Sequence, residues 1–355
     1  MNTSDETKPE GMMVSRVTKA WYVLCRTGEL RQKPLSRTLF GQPIVLFRQN
    51  NGDPGALLDR CAHRNVPLSL GRVVPEGVEC GYHGWQFDSS GSCKKIPGLC
   101  GTIEKEGRRV PHFATKEQDG YIWVYATPGE EPKGDPYPIP LFGEKGYTTV
   151  HKRVEVEGSL HSTLENALDV PHTAFLHRGL FRGTGKTHPI KAVVTRTGES
   201  VQAEYMGEPR PSGLAGKVLA PSGGEVIHYD RFFLPSVAQV EYRLGADLHI
   251  LVTSLCTPVE DFVTRMHAVI SFRMRLPGWL IKLILTPIGM SIFKQDARIL
   301  ARQTEALKRF GGENFTSTEI DVLGLQIWRL LCRAERGVTP EQEEKDWKRE
   351  IMMEA

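Results

Sequence analysis

The sequence predicts an α+β fold in two domains, an all-β module followed by an antiparallel sheet with helices. Three observations support this prediction. The chain has 355 residues, a length at which two domains are usual. Short apolar segments separated by Gly, Pro, Asn and Asp fill the first third, as in small all-β modules. Longer alternating segments and then helical patterns fill the rest, as in α+β domains.

The first domain is expected over residues 19–127, after a polar N-terminus, 1–18, that is expected to be disordered. Its strand segments are rich in β-branched and aromatic residues, and Asn50-Asn51-Gly52-Asp53 is a strong hairpin signal. A Pro- and Gly-rich segment, 128–142, is expected to be a linker. The expected strands are 21–24, 43–47, 56–58 and 121–125.

The second domain is expected over residues 143–340, and the charged segment 341–355 is expected to be a C-terminal tail. Its strands should form an antiparallel sheet that precedes two helices. The expected strands are 193–205, 226–233, 238–244, 249–256 and 263–275, and the expected helices are 288–310 and 317–333.

Composition excludes several classes of protein. Hydrophobic residues make up 40% of the chain and charged residues 25%, as in ordinary globular proteins, and a net charge of +3 does not suggest a nucleic-acid partner. The N-terminus lacks the features of a signal peptide. Segment 276–290 is interrupted by Pro277, Lys282 and Pro287, so no membrane partner is expected. Seven cysteines without a secretory signal indicate a reducing compartment, and we expect a cytoplasmic protein.

Two short clusters, Cys61-Ala62-His63 and Cys80-Gly81-Tyr82-His83, dominate the chain. They read C-x-H and C-x-x-H with sixteen residues between them. Two thiolates on one iron and two imidazoles on the other suit a 2Fe-2S cluster of raised reduction potential. Zinc is the alternative, but zinc sites usually keep the Cys pair and the His pair separate. We therefore expect Cys61, His63, Cys80 and His83 to hold a 2Fe-2S cluster.

A second group reads N-x-x-D-x-x-H-x-x-x-x-H from Asn166 through Asp169 and His172 to His177. Histidines five apart do not share one face of a regular helix. Pro171 predicts an irregular turn that could bring both rings to one point. On its own such a pair is more often two unrelated surface or core histidines than a metal site.

A third ligand is expected at Asp296. The apolar residues Ile292, Ile299 and Leu300 form a helical stripe, and Asp296 falls on it. An ionised carboxylate facing a core costs several kcal/mol unless it is paired or bound to metal. Non-heme ferrous oxygenases bind iron with two histidines and one carboxylate. The alternative is a salt bridge, for instance to Lys294.

These motifs resemble those of the Rieske non-heme iron oxygenases, over about residues 20–335. Respiratory Rieske proteins have an additional cysteine in each loop, where this chain has Val66 and Tyr82, so the oxygenase branch fits better. Gly81 departs from the proline common in the family. The resemblance is to the terminal oxygenase (alpha) subunit, in the vanillate-demethylase and pheophorbide-oxygenase branch. It implies a Rieske domain and a helix-grip antiparallel-sheet catalytic domain.

The resemblance also implies roles at the second centre. His172, His177 and Asp296 would bind mononuclear Fe(II), with O2 as co-substrate. Asp169 would bridge His172 to a Rieske histidine of a neighbouring subunit, His83 or His63, which implies a homotrimer. A helix N-cap is the simpler role for Asp169. Asn166 would lie near the iron without binding it.

Electrons are expected from another protein, because no G-x-G-x-x-G fingerprint follows a predicted strand. A ferredoxin or a flavin-dependent NAD(P)H reductase would supply them. Five basic residues near the cluster loops could form its docking patch or an ordinary solvated face. They are Arg60, Arg64, Arg72, Lys94 and Lys95.

The expected reaction is hydroxylation or oxidative demethylation of a small, largely apolar organic molecule. This expectation rests on resemblance to monooxygenases and demethylases. cis-Dihydroxylation and desaturation by the same family remain alternatives. A Rieske electron-transfer protein without oxygenase activity is the alternative from another class. Such a carrier would need the cluster ligands alone.

Overall fold

The chain divides between Pro138 and Ile139 into two units, inside the segment where the linker is expected. Residues 11–15 belong to the second unit. The computed structural model describes residues 9, 11–103, 105–177, 188–209, 224–246, 248–275, 277–338 and 347–354. Among these residues, no helix combines the length and the apolar character that crossing a membrane requires.

The first unit consists of small antiparallel sheets, ordered β1-β11-β10, β2-β3-β4-β9 and β5-β6-β7-β8. Alternating side chains of its strands form a buried core that includes Tyr22, Ile44 and Val124. The strands are β1 (Trp21–Arg26), β2 (Leu35–Leu39), β3 (Gln42–Arg48), β4 (Pro54–Leu58), β5 (Arg72–Val74), β6 (Gly77–Glu79), β7 (Gln86–Phe87), β8 (Cys93–Lys95), β9 (His112–Phe113), β10 (Thr115–Gln118) and β11 (Tyr121–Tyr125).

The second unit is built on one eight-stranded antiparallel sheet, ordered β12-β18-β17-β16-β15-β14-β13-β19. The predicted α+β class with an antiparallel sheet is confirmed. The elements are β12 (Thr148–Val156), α1 (Leu160–Ala167), α2 (Thr173–Leu176), β13 (Pro189–Arg196), β14 (Ser200–Met206), β15 (Val226–Phe233), β16 (Val237–Leu244), β17 (Leu248–Glu260), β18 (Val263–Arg273), α3 (Gly278–Phe310), α4 (Gly324–Glu335) and β19 (Trp347–Glu354).

One face of this sheet packs against the helices. Arg196 of β13 donates a hydrogen bond to Gln326 of α4, at 2.7 Å. Thr264 of β18 donates to the carbonyl of Gly158, just before α1, at 3.0 Å. Because side chains alternate along a strand, every second residue of the central strands lies on this inner face.

Three elements differ from the sequence prediction. Helix α4 begins at Gly324, seven residues after the expected start. The segment 193–205 is two strands, because the Thr197 hydroxyl accepts the N–H groups of Glu199 and Ser200 and closes a turn. Helix α3 begins at Gly278, ten residues before the expected start, and contains Pro287. A proline removes a single backbone donor, and the helix continues through it.

Both termini also differ from expectation. The expected tail contains β19, which pairs with β13 along its length, because Ile351 and Met353 are buried. Near the N-terminus, the N–H of Met13 donates to the Glu313 carboxylate at 3.0 Å, so residues expected to be disordered are bound. Residues 1–8, 10, 339–346 and 355 lie outside the described chain.

Candidate metal centres

The two loops of the first centre have the same backbone hydrogen bonds. The N–H of Cys61 donates to the carbonyl of Val66, and the N–H of Cys80 donates to that of Trp85, at 2.9 and 2.8 Å. The carbonyl of each cysteine accepts the N–H four residues on, from Asn65 or Gly84. These two residues have φ of 61° and 70°, a left-handed conformation that Asn and Gly tolerate best.

The four predicted ligands of this centre lie together. Cys61 and Cys80 are buried over the apolar residues Leu68, Val78 and Phe87. The imidazole rings of His63 and His83 lie 4.5 Å apart, centroid to centroid. A further contact is the indole of Trp85, which stacks on His63 with the ring centroids 4.8 Å apart.

This first centre fits a metal cluster. The Nδ1 atom of His63 is buried and has no hydrogen-bond partner among the described residues, and a buried unpaired polar atom is costly. Burial and the adjacent Cys80 side chain raise the pKa of Cys61 to about 11. Bonds to iron would satisfy both the unpaired nitrogen and the two neighbouring sulfurs.

The second centre is assembled by a tight turn and a helix. His172 and His177 lie at the two ends of the single-turn helix α2, and Asp296 lies in the middle of α3. The carboxylate of Asp169 accepts the backbone N–H of His172 at 3.2 Å. The turn beginning at Pro171, rather than a regular helix, therefore brings histidines five apart to one point.

Three side-chain atoms converge at this centre. The Nε2 atoms of His172 and His177 lie 3.2 Å apart, and Oδ1 of Asp296 lies 3.6 and 3.0 Å from them, respectively. In a six-coordinate site with bonds of about 2.1 Å, neighbouring ligand atoms lie about 3 Å apart. The spacing is that of three adjacent ligands on one face of a metal ion.

The hydrogen bonds around the centre also fit a cation. Nδ1 of His172 lies 3.1 Å from the Asp169 carboxylate, and Nδ1 of His177 lies 2.7 Å from Oε1 of Gln295. Both acceptors favour a proton on Nδ1, which leaves each Nε2 lone pair directed inward. Oδ1 of Asp296 is buried and accepts no hydrogen bond from a described residue, although it lies near His177. Three acceptor atoms facing one another need a cation or a proton between them, and a metal ion fits this arrangement.

Gln295 was not predicted from the sequence as a functional residue, and its contact with His177 makes it testable. Gln295→Leu should lower iron affinity about 10–100-fold, because groups that orient metal ligands typically contribute this much. Gln295→Glu keeps an acceptor and should restore most of the affinity. Titration of iron-depleted protein with Fe(II) measures both. Gln303→Leu, two turns along the same helix, is the matched control, and an unaffected Gln295→Leu protein would disprove the role.

The protonation of His172 predicts a pH dependence. Burial lowers the pKa of His172, but the hydrogen bond to Asp169 and the negative charge of the nearby Asp296 carboxylate outweigh burial and raise it to about 9. Below that pH the iron-free site holds a proton that iron must displace. Apparent Fe(II) affinity should therefore fall about tenfold for each pH unit below about 9. Affinity that does not change with pH across this range would contradict a protonated His172.

A groove of about 540 Å³ opens beside the second centre. Its lining includes Asp169 and His172 together with Glu165, Asn166 and Asp321. Burial, followed by repulsion from Asp169 and Asp321, raises the pKa of Glu165 to about 7. The groove is therefore acidic. The sequence predicts Asn166, Asp169 and His172 as site residues, but not Glu165 or Asp321.

Comparison with known proteins agrees with this geometry. The family model of the Rieske 2Fe-2S domain matches residues 20–106, and that of the vanillate O-demethylase oxygenase C-terminal domain matches residues 156–337. The oxygenase component of dicamba O-demethylase from Stenotrophomonas maltophilia is 34% identical over 297 residues, which cover 82% of this chain and 75% of that protein. Aminopyrrolnitrin oxygenase PrnD from Pseudomonas fluorescens is 25% identical, over 73% of this chain and 76% of that protein.

Solved structures give the same result. Dicamba monooxygenase bound to 3,6 dichlorosalicylic acid matches with a TM-score of 0.76 at 25% identity, covering 91% of this chain and 98% of that one. The predicted cofactors are confirmed: a Rieske 2Fe-2S cluster and mononuclear iron, with O2 as co-substrate. The chain is an oxidoreductase. It belongs to the Rieske non-heme iron oxygenases, with a catalytic domain of the vanillate O-demethylase type.

Proposed function

We propose that this protein is a terminal oxygenase in which Cys61, His63, Cys80 and His83 hold the cluster and His172, His177 and Asp296 hold the mononuclear iron. The observation that carries the proposal is the convergence of the last three side chains, whose ligand atoms all lie within 4.8 Å of one another. A protein that only carries electrons on its cluster does not require a second metal centre.

The protein's own residues prepare the second centre for chemistry. Asp169 fixes the ring of His172, and Gln295 fixes that of His177, so both Nε2 atoms face Asp296. Ferrous iron with two imidazoles and one carboxylate supplies oxygen chemistry when electrons arrive from a cluster. His177 is buried, which excludes water from one side of the centre.

The inner face of the sheet supports an apolar substrate. Val240, Val252 and Ile270 are cross-strand neighbours in one row of this face. They are half-buried, while Ala238 and Ser254 on the same face are fully buried. A row of apolar side chains with accessible surface can line a binding cavity. We place the substrate against this row.

We infer that the reaction is hydroxylation or oxidative demethylation, because relatives include an O-demethylase and a toluene-4-sulfonate monooxygenase iron-sulfur subunit. Purified protein, a surrogate reductase and O2 would be given aryl methyl ethers, methylarenes and arylamines, with products identified by mass spectrometry. Loss of a methyl group or gain of one oxygen supports the proposal. A cis-diol product would instead indicate dioxygenase activity, and a desaturated product would indicate desaturase activity.

We propose that electrons reach the mononuclear iron through the acidic groove. In a homotrimer this groove would bind the cluster loops of a neighbouring subunit. Phe175 and Ile299 line the groove and are exposed. On the first unit, Tyr82, Arg60 and Arg64 are exposed around the cluster loops. Acidic and basic surfaces of this kind attract each other and fix orientation. Asp169 would then hydrogen-bond both His172 and His83 of the neighbour.

Mixing two inactive proteins tests this arrangement. Cys80→Ser should lack the cluster and His172→Ala should lack the iron, so each alone should be inactive. Subunits unfolded and refolded together should regain activity, because a complete pair forms across the interface. If electrons passed only between the two centres of one chain, the mixture would stay inactive, and this result would contradict the proposed arrangement. Light scattering on the wild-type protein measures whether three copies associate.

The electron donor is proposed to be a ferredoxin or a flavin-dependent NAD(P)H reductase. Arg60, Arg64 and Lys95 are exposed near the cluster, and Arg72 and Lys94 are exposed but paired with Glu79 and Asp88. The cysteines form no disulfide in the described chain. Free thiols are usual in a reducing compartment, so we place the protein in the cytoplasm.

A further inference from the structure

The first half of helix α3 presents an apolar stripe to solvent. Trp279 and Leu283 are 70% and 68% exposed, and they lie one helical turn apart with Pro287 one turn further. Ile281, on the opposite side of the helix, is buried. The stripe is therefore a surface feature of a helix whose other side packs against the protein.

Positive charge lies beside this stripe and continues beyond it along the helix. The sequence contains no Asp or Glu from Phe262 to Gln295. Lys282 flanks Trp279 and Leu283, and Lys294 and Arg298 extend the same side of the helix. All three basic side chains are exposed, and none forms an ion pair with another described residue. The result is an apolar stripe with one unpaired cation beside it and two more further along the same side of the helix.

Two kinds of occupant can cover such a stripe, and their chemistry differs. The buried centre of a protein interface is depleted of lysine. A helix that lies in a membrane surface instead carries Trp and Leu on one face and Lys or Arg beside them. The amphipathic ring of Trp and the flexible stem of Lys both suit the boundary between acyl chains and headgroups. The arrangement on α3 matches the second pattern.

We propose that the first half of α3 binds the surface of an anionic lipid bilayer. Trp279 and Leu283 enter the acyl-chain boundary, and Lys282, Lys294 and Arg298 contact anionic headgroups. Binding is peripheral and involves no covalent or redox step. If the substrate is apolar, as the proposed function holds, the bilayer is where such a molecule accumulates, but vesicle binding itself does not depend on that function.

Co-sedimentation with vesicles tests the proposal. Wild-type protein should bind vesicles of phosphatidylcholine mixed with phosphatidylglycerol and bind phosphatidylcholine alone weakly. Trp279→Ser combined with Leu283→Ser should abolish binding. Lys282→Gln combined with Lys294→Gln should weaken it about 25-fold, since each basic residue near an anionic surface contributes about fivefold. Added salt should weaken wild-type binding as well.

Phe310→Ser is the matched control, because Phe310 is 81% exposed on the same helix but lies at its C-terminal end, far from the stripe. It should bind vesicles as the wild type does. Iron content and circular dichroism establish that each variant is folded. Failure of the wild type to bind anionic vesicles, or unchanged binding by the Trp279 and Leu283 variant, overturns the proposal. A third result would also overturn it. If light scattering showed that the Trp279 and Leu283 variant forms a smaller oligomer than the wild type, the stripe would be an interface between two copies of the chain.

Discussion

Replacing Asp296 by alanine is expected to remove the mononuclear iron and to abolish O2-dependent turnover. Its Oδ1 atom is buried between His172 and His177 and is the one negative charge in contact with both Nε2 atoms among the described residues. Without it, two neutral imidazoles bind a ferrous ion weakly. The cluster ligands belong to the other structural unit, so the visible spectrum of the cluster should not change.

Iron analysis and turnover measure this effect. Iron per chain should fall from about three atoms to about two, the number in the cluster. Asp321→Ala is the matched control, because it removes an acid of the same groove that contacts no predicted ligand. Full activity in the Asp296→Ala protein would rule Asp296 out as a ligand.

Asp169→Asn should keep both metal centres and slow electron transfer between them. Asparagine has the shape of aspartate and can still accept a hydrogen bond from Nδ1 of His172. It lacks the charge that strengthens this bond and the proposed one to His83 of a neighbouring subunit. Oxidation of the pre-reduced cluster by O2 should slow about a hundredfold, the upper range for a residue that orients a metal ligand.

Rapid mixing in a single turnover measures that rate. Asp321→Asn removes one charge from the same groove without touching His172 and should leave the rate within a few-fold of wild type. An unchanged rate in Asp169→Asn would mean that electrons take another path. A loss of iron in that variant would mean that Asp169 mainly positions His172.

The cluster ligands could be predicted because they are close in sequence. A C-x-H and a C-x-x-H motif place a sulfur and an imidazole in one loop, and Asn65 and Gly84 supply the left-handed turn of each loop. The second centre depends on a contact between α2 and the distant helix α3. A carboxylate on an apolar stripe and resemblance to a family together indicated Asp296. Nothing in the sequence marked Gln295, because a polar residue beside a ligand has no pattern of its own.

The errors in the fold prediction have local causes. The helix expected to start at 288 instead begins at Gly278 and runs through Pro287, because packing of residues such as Ile281 outweighs one lost hydrogen bond. The segment of β19 predicts a tail because it is rich in charges of both signs, although exposed residues alternate with the buried Ile351 and Met353. That alternation is typical of an edge strand with one face in solvent.

Anomalous diffraction at the iron edge, on crystals of the protein as purified, tests the central claim most directly. The account predicts a pair of iron peaks between Cys61, His63, Cys80 and His83. It also predicts a separate single peak within about 2.2 Å of Nε2 of His172, Nε2 of His177 and a carboxylate oxygen of Asp296. A peak at that position that appears at the zinc edge and not at the iron edge would contradict the account. So would the absence of any peak among these three side chains.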